Sequence, residues 1–280
     1  MTRPAVSGAT RLAAVIGSPV RHSLSPAIHN AGYEASGLDW VYVALEVPPG
    51  RAAEALTGMR ALGIAGLSVT MPHKDDVYAL VDDLSPAAAT MRAVNCVQLL
   101  DGRLVGHNTD GDGFVDSLRL DAGIDPSGLS VAVVGAGGAA RSVVEALARS
   151  GASEIAVVNR TPSRAAEAAA LAAGRGRVGD LEDVCAARLV INATSVGLGT
   201  DELSIDRDLI QRGQVVADLV YHPLETALLR AAAERGARTV DGLGMLVHQA
   251  ARQFTLWTGV EAPVGEMRRA AEAELARRRT

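Results

Sequence analysis

Nine short apolar runs punctuate the chain, at residues 12–16, 41–47, 65–69, 94–99, 131–134, 154–158, 189–192, 215–219 and 238–240. Between most of them lie helix-length stretches, at 26–35, 52–62, 139–149, 163–173 and 225–235. Where a helix separates two strands, the crossover returns the chain parallel to its start and covers one face of the sheet. The alternation therefore predicts an α/β fold of mainly parallel sheets with helices on both faces. Ser25-Pro26 and Thr161-Pro162 each place a hydroxyl at an expected N-cap and a proline in the first turn. The last 35 or so residues read as two helices. In the first of these, Leu246, Ala250, Phe254 and Trp257 follow helical spacing and are expected to face a core.

A chain of 280 residues suits one large or two medium domains. Only 3 % of its residues are aromatic, so Ala, Val and Leu must fill the cores. Glycine-rich crossings near 109–113 and 242–244 divide it into a first domain, 1–110 with 245–280, and a second, 111–244. A net charge of −5 without clustered Lys and Arg argues against a nucleic-acid surface, though not against a small anionic substrate. Cys96 and Cys185 form no CxxC pair, as a reducing cytoplasm would have it. Residues 1–10 are polar and lack the apolar stretch of a signal peptide. No apolar run approaches the roughly 18 residues of a membrane span. The six histidines show no metal-ligand spacing, so no metal is expected.

The apolar run 131–134 ends in Gly135-Ala136-Gly137-Gly138-Ala139-Ala140, and a helical stretch follows. This is the strand, turn and helix that a dinucleotide fingerprint requires. Gly135 permits the turn, Gly137 lets the backbone approach a pyrophosphate, and Ala140 keeps the helix close to the strand. The next strand ends in Asn159-Arg160-Thr161, with Arg164 one turn on and no acid to hold a ribose 2′-hydroxyl. Arg160 and Arg164 suit a 2′-phosphate, with Asn159 and Thr161 adding neutral bonds. The second domain is therefore expected to be a Rossmann-type domain binding NADP(H).

Four polar clusters mark the first half. One is the loop 17–30 with Ser23 and Ser25, where Ser25 is expected to cap a helix and Ser23 is left to explain. The others are Ser68-Val69-Thr70-Met71-Pro72-His73-Lys74, Ala93-Val94-Asn95-Cys96, and the stretch 106–111 that ends in Asp110-Gly111. Open α/β sheets bind ligands at the carboxyl ends of their strands, where such loops lie.

The order GSPVRHSLSPAIHN, SVTMPHK, AVNC, GHNTDGDGF, VVGAGGAAR, VVNRT, INATSVG, DLVYHP and DGLGMLVHQA resembles the shikimate dehydrogenase family from residue 17 to 257. The resemblance implies two α/β domains with an active site in the cleft, and reduction of 3-dehydroshikimate to shikimate with NADPH, on the route to aromatic amino acids. It implies that Ser23 and Ser25 hold the substrate carboxylate, that Thr70, Asn95 and Gln249 hold ring hydroxyls, and that Tyr221 lies at the same pocket. It makes Lys74 and Asp110 the catalytic pair, and places Ala136, Gly138, Ala139, Thr194, Gly242 and Met245 with the cofactor residues named above. Two positions depart from the family pattern, Ser68 for an asparagine and Cys96 for a threonine.

In this chemistry Lys74 would give a proton to the alkoxide and steady its charge, while Asp110 would fix orientation. Sequence leaves open which of the two formally transfers the proton, and monomer and homodimer both fit. A quinate-acting enzyme that prefers NAD is the nearest alternative, and Asn159-Arg160-Thr161 argues against it. A non-catalytic NADP sensor would need neither Lys74 nor Asp110. An unrelated NADP enzyme would lack the first-half motifs.

Overall fold

The computed structural model describes residues 6–278, and the chain falls into two compact units. One gathers the residues up to Thr109 and from Gln249 onward; the other is Asp110–His248.

The first unit contains β1 (Arg11–Gly17), α1 (Ser25–Ala35), β2 (Trp40–Glu46), α2 (Ala52–Leu62), β3 (Gly66–Val69), α3 (Lys74–Tyr78), β4 (Asp83–Leu84), α4 (Pro86–Met91), β5 (Cys96–Leu100) and β6 (Arg103–His107). They form one six-stranded sheet in the order β2-β1-β3-β5-β6-β4. β1 runs parallel to β2 and β3, and β4 parallel to β6. β5 is antiparallel to both β3 and β6. The sheet is therefore mixed, and β6 lies outside the nine expected strands. Asp101 and Gly102 sit at φ 49° and 79°, the left-handed pair that closes a tight hairpin and reverses the chain. Ile16, Leu56, Met59, Leu67, Val69, Val97 and Leu104 belong to the core of this unit.

One local expectation is reversed. Ser25 does not cap α1; it is the first helical residue, and Leu24 holds the cap position with no side-chain bond. The Ser23 hydroxyl instead accepts the Ser25 amide at 3.2 Å, two residues on, as a short hydroxyl side chain in a turn does.

The second unit opens with α5 (Asp110–Asp116), prolonged by a π turn over Ser117–Asp121. It continues through β7 (Ser130–Val134), α6 (Gly138–Arg149), β8 (Glu154–Val158), α7 (Pro162–Ala170), β9 (Gly176–Val178), α8 (Leu181–Ala186), β10 (Leu189–Asn192), β11 (Val215–Asp218), α9 (Ala227–Glu234) and β12 (Arg238–Val240). All six strands are parallel, in the order β12-β11-β10-β7-β8-β9. Counted within the unit this is 6-5-4-1-2-3, the doubly wound dinucleotide order with its switch point between β7 and β10. Valine, isoleucine, alanine and leucine dominate its core, as the scarcity of aromatics requires.

Two helices end the chain, α10 (Gly242–Thr258) and α11 (Val264–Arg277). The passage between units falls inside α10, between His248 and Gln249. Its buried line runs Leu243, Val247, Ala250, Phe254 and Trp257, while Leu246 is only half-buried at the margin of that line. Among the described residues no helix is long and apolar enough to cross a membrane. No group of three or more His, Cys, Asp and Glu among them could hold a metal ion.

His29 is fully buried in α1, stacked on the Tyr42 ring at 4.3 Å and 6°. Neither ring nitrogen has a hydrogen-bond partner. Burial opposes the charged form and drives its pKa down to about 3. The folded chain thus refuses a proton that the unfolded chain takes up below pH 6.5. Stability is complete above pH 6.5 and falls as pH drops from there towards 3, by about 1.4 kcal/mol per pH unit from this group. His29→Phe is expected to flatten that slope in denaturant titrations between pH 6.5 and 4; an unchanged slope would show that the acid sensitivity lies elsewhere.

Candidate active site and dinucleotide site

The edge of the first unit that carries the polar clusters is set by strand polarity. β1 and β3 end there, β5 begins there because it runs the other way, and β6 returns to it. The loop after β1 bears Ser23 and leads into Ser25 at the start of α1, the loop after β3 bears Thr70, the start of β5 follows Asn95, and the end of β6 leads to Thr109. Backbone bonds tie these loops together: Thr70 N–H donates to the Ile16 carbonyl at 3.0 Å, Ser18 N–H to Met71 at 3.0 Å, and Asn95 N–H to His107 at 3.0 Å. Lys74 is the first residue of α3, half-buried, and its carbonyl accepts the Val94 amide at 3.0 Å.

Below this edge runs a buried hydrogen-bond network that joins residues from six segments. The Tyr42 hydroxyl on β2 donates to Ser68 Oγ at 2.5 Å and also meets the Ser25 hydroxyl. Burial pushes the Tyr42 phenol well above its ordinary pKa, so it stays protonated and able to donate. Ser68 donates to Gln253 Oε1 on α10. Gln253 Nε2 donates to Gln249 Oε1 at 2.8 Å and to Thr109 Oγ1 at 3.2 Å. Thr109 in turn accepts Asn95 Nδ2 at 3.0 Å and donates its amide to Asn95 Oδ1 at 2.8 Å. Three expected site residues, Ser25, Asn95 and Gln249, are thus brought into one network. Ser23 lies beside it through its bond to Ser25, and Thr70 flanks it in the next loop. Tyr42 and Gln253 belong to this network and carried no sequence signal of their own, whereas Thr109 lies in the polar cluster 106–111 and was given no role there. Ser68 and Cys96, the two departures from the family pattern, occupy paired positions on β3 and β5. Ser68 fills a structural place in the network, and Cys96 is fully buried.

Asp110 and Tyr221 fall in the second unit, Asp110 as the first residue of α5 and Tyr221 half-buried after β11. In this unit Gly135 follows β7 at φ 115°, and a Cβ there would stand 2.9 Å from the Ala193 carbonyl. Glycine is required on both counts. Its amide donates to the Val158 carbonyl at 2.8 Å, which ties the turn to the end of β8.

Gly137 and Gly138 are different. Neither has positive φ, and a Cβ on either would meet no protein atom within 4 Å. The protein's own packing does not call for glycine there, whereas a group approaching from outside would. Gly137 holds the N-cap of α6 without a side-chain bond, so the first amides of a 12-residue helix are presented bare. Bare amides and the helix dipole together favour an anion. Ala136 and Ala139 complete the turn, and Ala140 is fully buried in the core.

Past β8, Arg160, Thr161 and Arg164 are exposed, and Asn159 donates to the Thr161 carbonyl at 3.1 Å. Thr161 stands at the N-cap of α7 without a side-chain bond. Arg149, Arg177 and Arg230 of the same unit each hold a carboxylate. Arg160 and Arg164 make no ion pair among the described residues.

On the other side of the switch point, Thr194 donates to Asn192 Oδ1 at 2.7 Å, and Asn192 donates to Asp218 Oδ1 at 2.8 Å. Asp218 also accepts Thr226 Oγ1 at 2.7 Å and Val220 N–H at 3.0 Å. Burial raises its pKa against the pull of these donors. Asp218 thereby ties together the loops bearing Thr194 and Tyr221, a role the sequence reading did not assign. Gly242 starts α10 pressed on the Leu219 carbonyl, and Met245 packs on the core of the unit.

A doubly wound sheet with a glycine turn at its switch point defines the class of dinucleotide-binding α/β proteins. Residues 15–97 match the shikimate dehydrogenase substrate binding domain, 122–199 the shikimate/quinate 5-dehydrogenase domain, and 242–272 the shikimate 5′-dehydrogenase C-terminal domain. The shikimate dehydrogenase (NADP(+)) of Moorella thermoacetica is 47 % identical over 276 residues, 94 % of this chain and 93 % of its own. That of Rubrobacter xylanophilus is 46 % identical over 284 residues, 98 % of this chain and 100 % of its own. The crystal structure of shikimate 5-dehydrogenase from Thermus thermophilus in complex with NADP(H) and shikimate matches with a TM-score of 0.89 and 39 % identity, over 94 % of this chain and 99 % of that one. The chain belongs to the shikimate dehydrogenase family.

The glycines give a direct check on what is structural and what is not. A Cβ on Gly111 in α5 would run into the Ser142 carbonyl of α6. Gly111→Ala is expected to lower stability by about 1–3 kcal/mol in denaturant titrations, and Gly137→Ala to change it by less than about 0.5 kcal/mol. Equal losses would show that Gly137 serves the fold.

Proposed function

We propose that the chain catalyses the reversible NADPH-dependent reduction of 3-dehydroshikimate to shikimate, a step on the route to chorismate and the aromatic amino acids, with Lys74 as the proton donor. One observation carries the residue assignment. Lys74 is the only lysine in the chain; the other 26 of its 27 Lys and Arg residues are arginine. A guanidinium keeps its proton at any working pH, whereas an ammonium can give one up and take it back. A chain that uses arginine at every other cationic position keeps an exchangeable amine at this one.

When bound, the nicotinamide supplies the hydride in one direction and accepts it in the other. The protein manages the proton and the orientation. Lys74 gives its proton to the oxygen that becomes the substrate hydroxyl, and its charge stabilises the developing alkoxide. Asp110, as first residue of α5, accepts a hydrogen bond from that hydroxyl and fixes its direction. Ser23 and Ser25 hold the carboxylate, and Thr70, Asn95, Tyr221 and Gln249 meet the rest of the ring. A small ring bearing hydroxyls demands a site of fixed hydrogen-bond partners, since analogues lacking a hydroxyl then leave buried groups unpaired. The network beneath Ser25, Asn95 and Gln249 supports that reading.

On the cofactor side, Gly135 to Ala139 would carry the pyrophosphate, with Thr194, Gly242 and Met245 at the nicotinamide end. Arg160 and Arg164, with no carboxylate of their own, suit a 2′-phosphate, with Asn159 and Thr161 beside them.

Lys74→Ala and Lys74→Arg are both expected to reduce kcat roughly 10²–10⁴-fold in initial-rate assays with shikimate and NADP. Arginine keeps the charge and loses the exchangeable proton, so near-normal turnover in Lys74→Arg would exclude proton transfer by this residue. Arg160→Ala is expected to raise the KM for NADPH about tenfold or more while changing that for NADH less than about twofold. Equal effects on both cofactors would remove the 2′-phosphate assignment.

A further inference from the structure

We propose that Gln253 is a positioning residue, which orients the Gln249 side-chain amide so that Gln249 meets the substrate as a hydrogen-bond donor. The inference rests on the reading of Gln249 as a substrate ligand.

Gln253 is 1 % exposed and has partners on both ends of its amide. One of them is the Asn95 backbone carbonyl, 3.4 Å away. A carbonyl can only accept, so the Gln253 atom facing it must be Nε2. A flipped amide would set two acceptors against each other. The opposite end of the amide is then Oε1, and it receives the Ser68 hydroxyl. Ser68 spends its one proton there, so the bond it shares with Tyr42 must be donated by Tyr42, at 2.5 Å. The direction of every bond from Tyr42 to Gln253 is therefore fixed by a backbone group.

The same logic extends one residue further. Gln253 Nε2 lies 2.8 Å from the Gln249 amide, one helical turn earlier on α10, and can only donate to it. That bond directs Gln249 Oε1 towards Gln253 and leaves Nε2 as the opposite end of the amide. The substrate atom that meets Gln249 must then be an acceptor, a hydroxyl or carbonyl oxygen. Gln253 does not touch the substrate in this scheme; it acts by excluding the wrong orientation of a residue that does. Gln253 Nε2 also reaches Thr109 Oγ1, while the Asn95 amide keeps its own two bonds to Thr109.

Steady-state kinetics of Gln249→Leu, Gln253→Leu and the double variant test this, together with Gln249→Glu. Gln253→Leu is expected to raise the KM for shikimate about tenfold, with the KM for NADP changed less than about twofold. The double variant should be no worse than Gln249→Leu alone, because both remove the same oriented donor. Gln249→Glu keeps the length and the acceptor towards Gln253 but offers no donor, and should weaken shikimate at least as much as Gln249→Leu. If Gln249→Leu weakens shikimate but Gln253→Leu does not, if the two losses multiply, or if Gln249→Glu is tolerated, the positioning role is overturned and Gln249 remains a ligand. If Gln249→Leu itself leaves the KM for shikimate unchanged, the underlying reading fails and this inference with it. Should Gln253→Leu not fold, Gln253→Glu keeps the acceptor that meets Ser68 and loses the donor to Gln249. It is expected to raise the KM for shikimate about tenfold, and an unchanged KM overturns the proposal.

Discussion

Three paired positions between β3 and β5, Gly66 with Gln98, Leu67 with Val97 and Ser68 with Cys96, run antiparallel, and the polar edge of the first unit follows from that polarity. Were β5 parallel to β3, Asn95 would stand at the opposite edge of the sheet, a strand length from Thr70. The antiparallel sense lets the start of one strand join the ends of three others. It also puts Ser68 and Cys96 side by side, with Gln253 of α10 against Ser68. The hairpin at Asp101-Gly102 then returns the chain along β6 to the same edge, where Thr109 can hold both ends of the Asn95 amide.

The second unit reaches a comparable result by a different constraint. All its strands are parallel, so all their carboxyl ends share one edge and the loops there need only be kept apart or drawn together. Gly135 lets the turn after β7 come against the Ala193 carbonyl after β10. Asp218, buried among three donors, draws the loop after β10 to the loop after β11. The glycines that follow serve neither task, and no protein atom fills the space beside them. Rigid placement and deliberate openness thus alternate within a few residues of one turn.

Most of this architecture was legible in the alternation of apolar runs with helical stretches, because that pattern reports burial directly. The nine expected strands all form, with ends displaced by one or two residues in most cases. β4, β6 and β9 escaped because strands of two to five residues with polar or glycine positions carry little periodicity. Asp101-Gly102 was the available signal for β6, a left-handed dipeptide between Leu99-Leu100 and Arg103-Leu104-Val105, and it marks the reversal from β5 to β6. The polar loops that carry Ser23, Thr70 and Asn95 were legible because strands of an α/β sheet end in such loops, and the structure brings them to one edge. Tyr42 and Gln253 were not, since their roles arise from proximity between segments up to 211 positions apart. Ser25 was misjudged by one position, because the helix begins at Ser25 and not at the Pro26 that follows it.

Lys74 has one more consequence. Carrying its positive charge on guanidinium groups leaves the surface almost without side-chain amines. Reagents that acylate or reductively alkylate amines ordinarily decorate a protein at many places; here Lys74 offers the one side chain that such chemistry can take. A single added mass on the side chains would therefore report on Lys74 alone, without any engineered label.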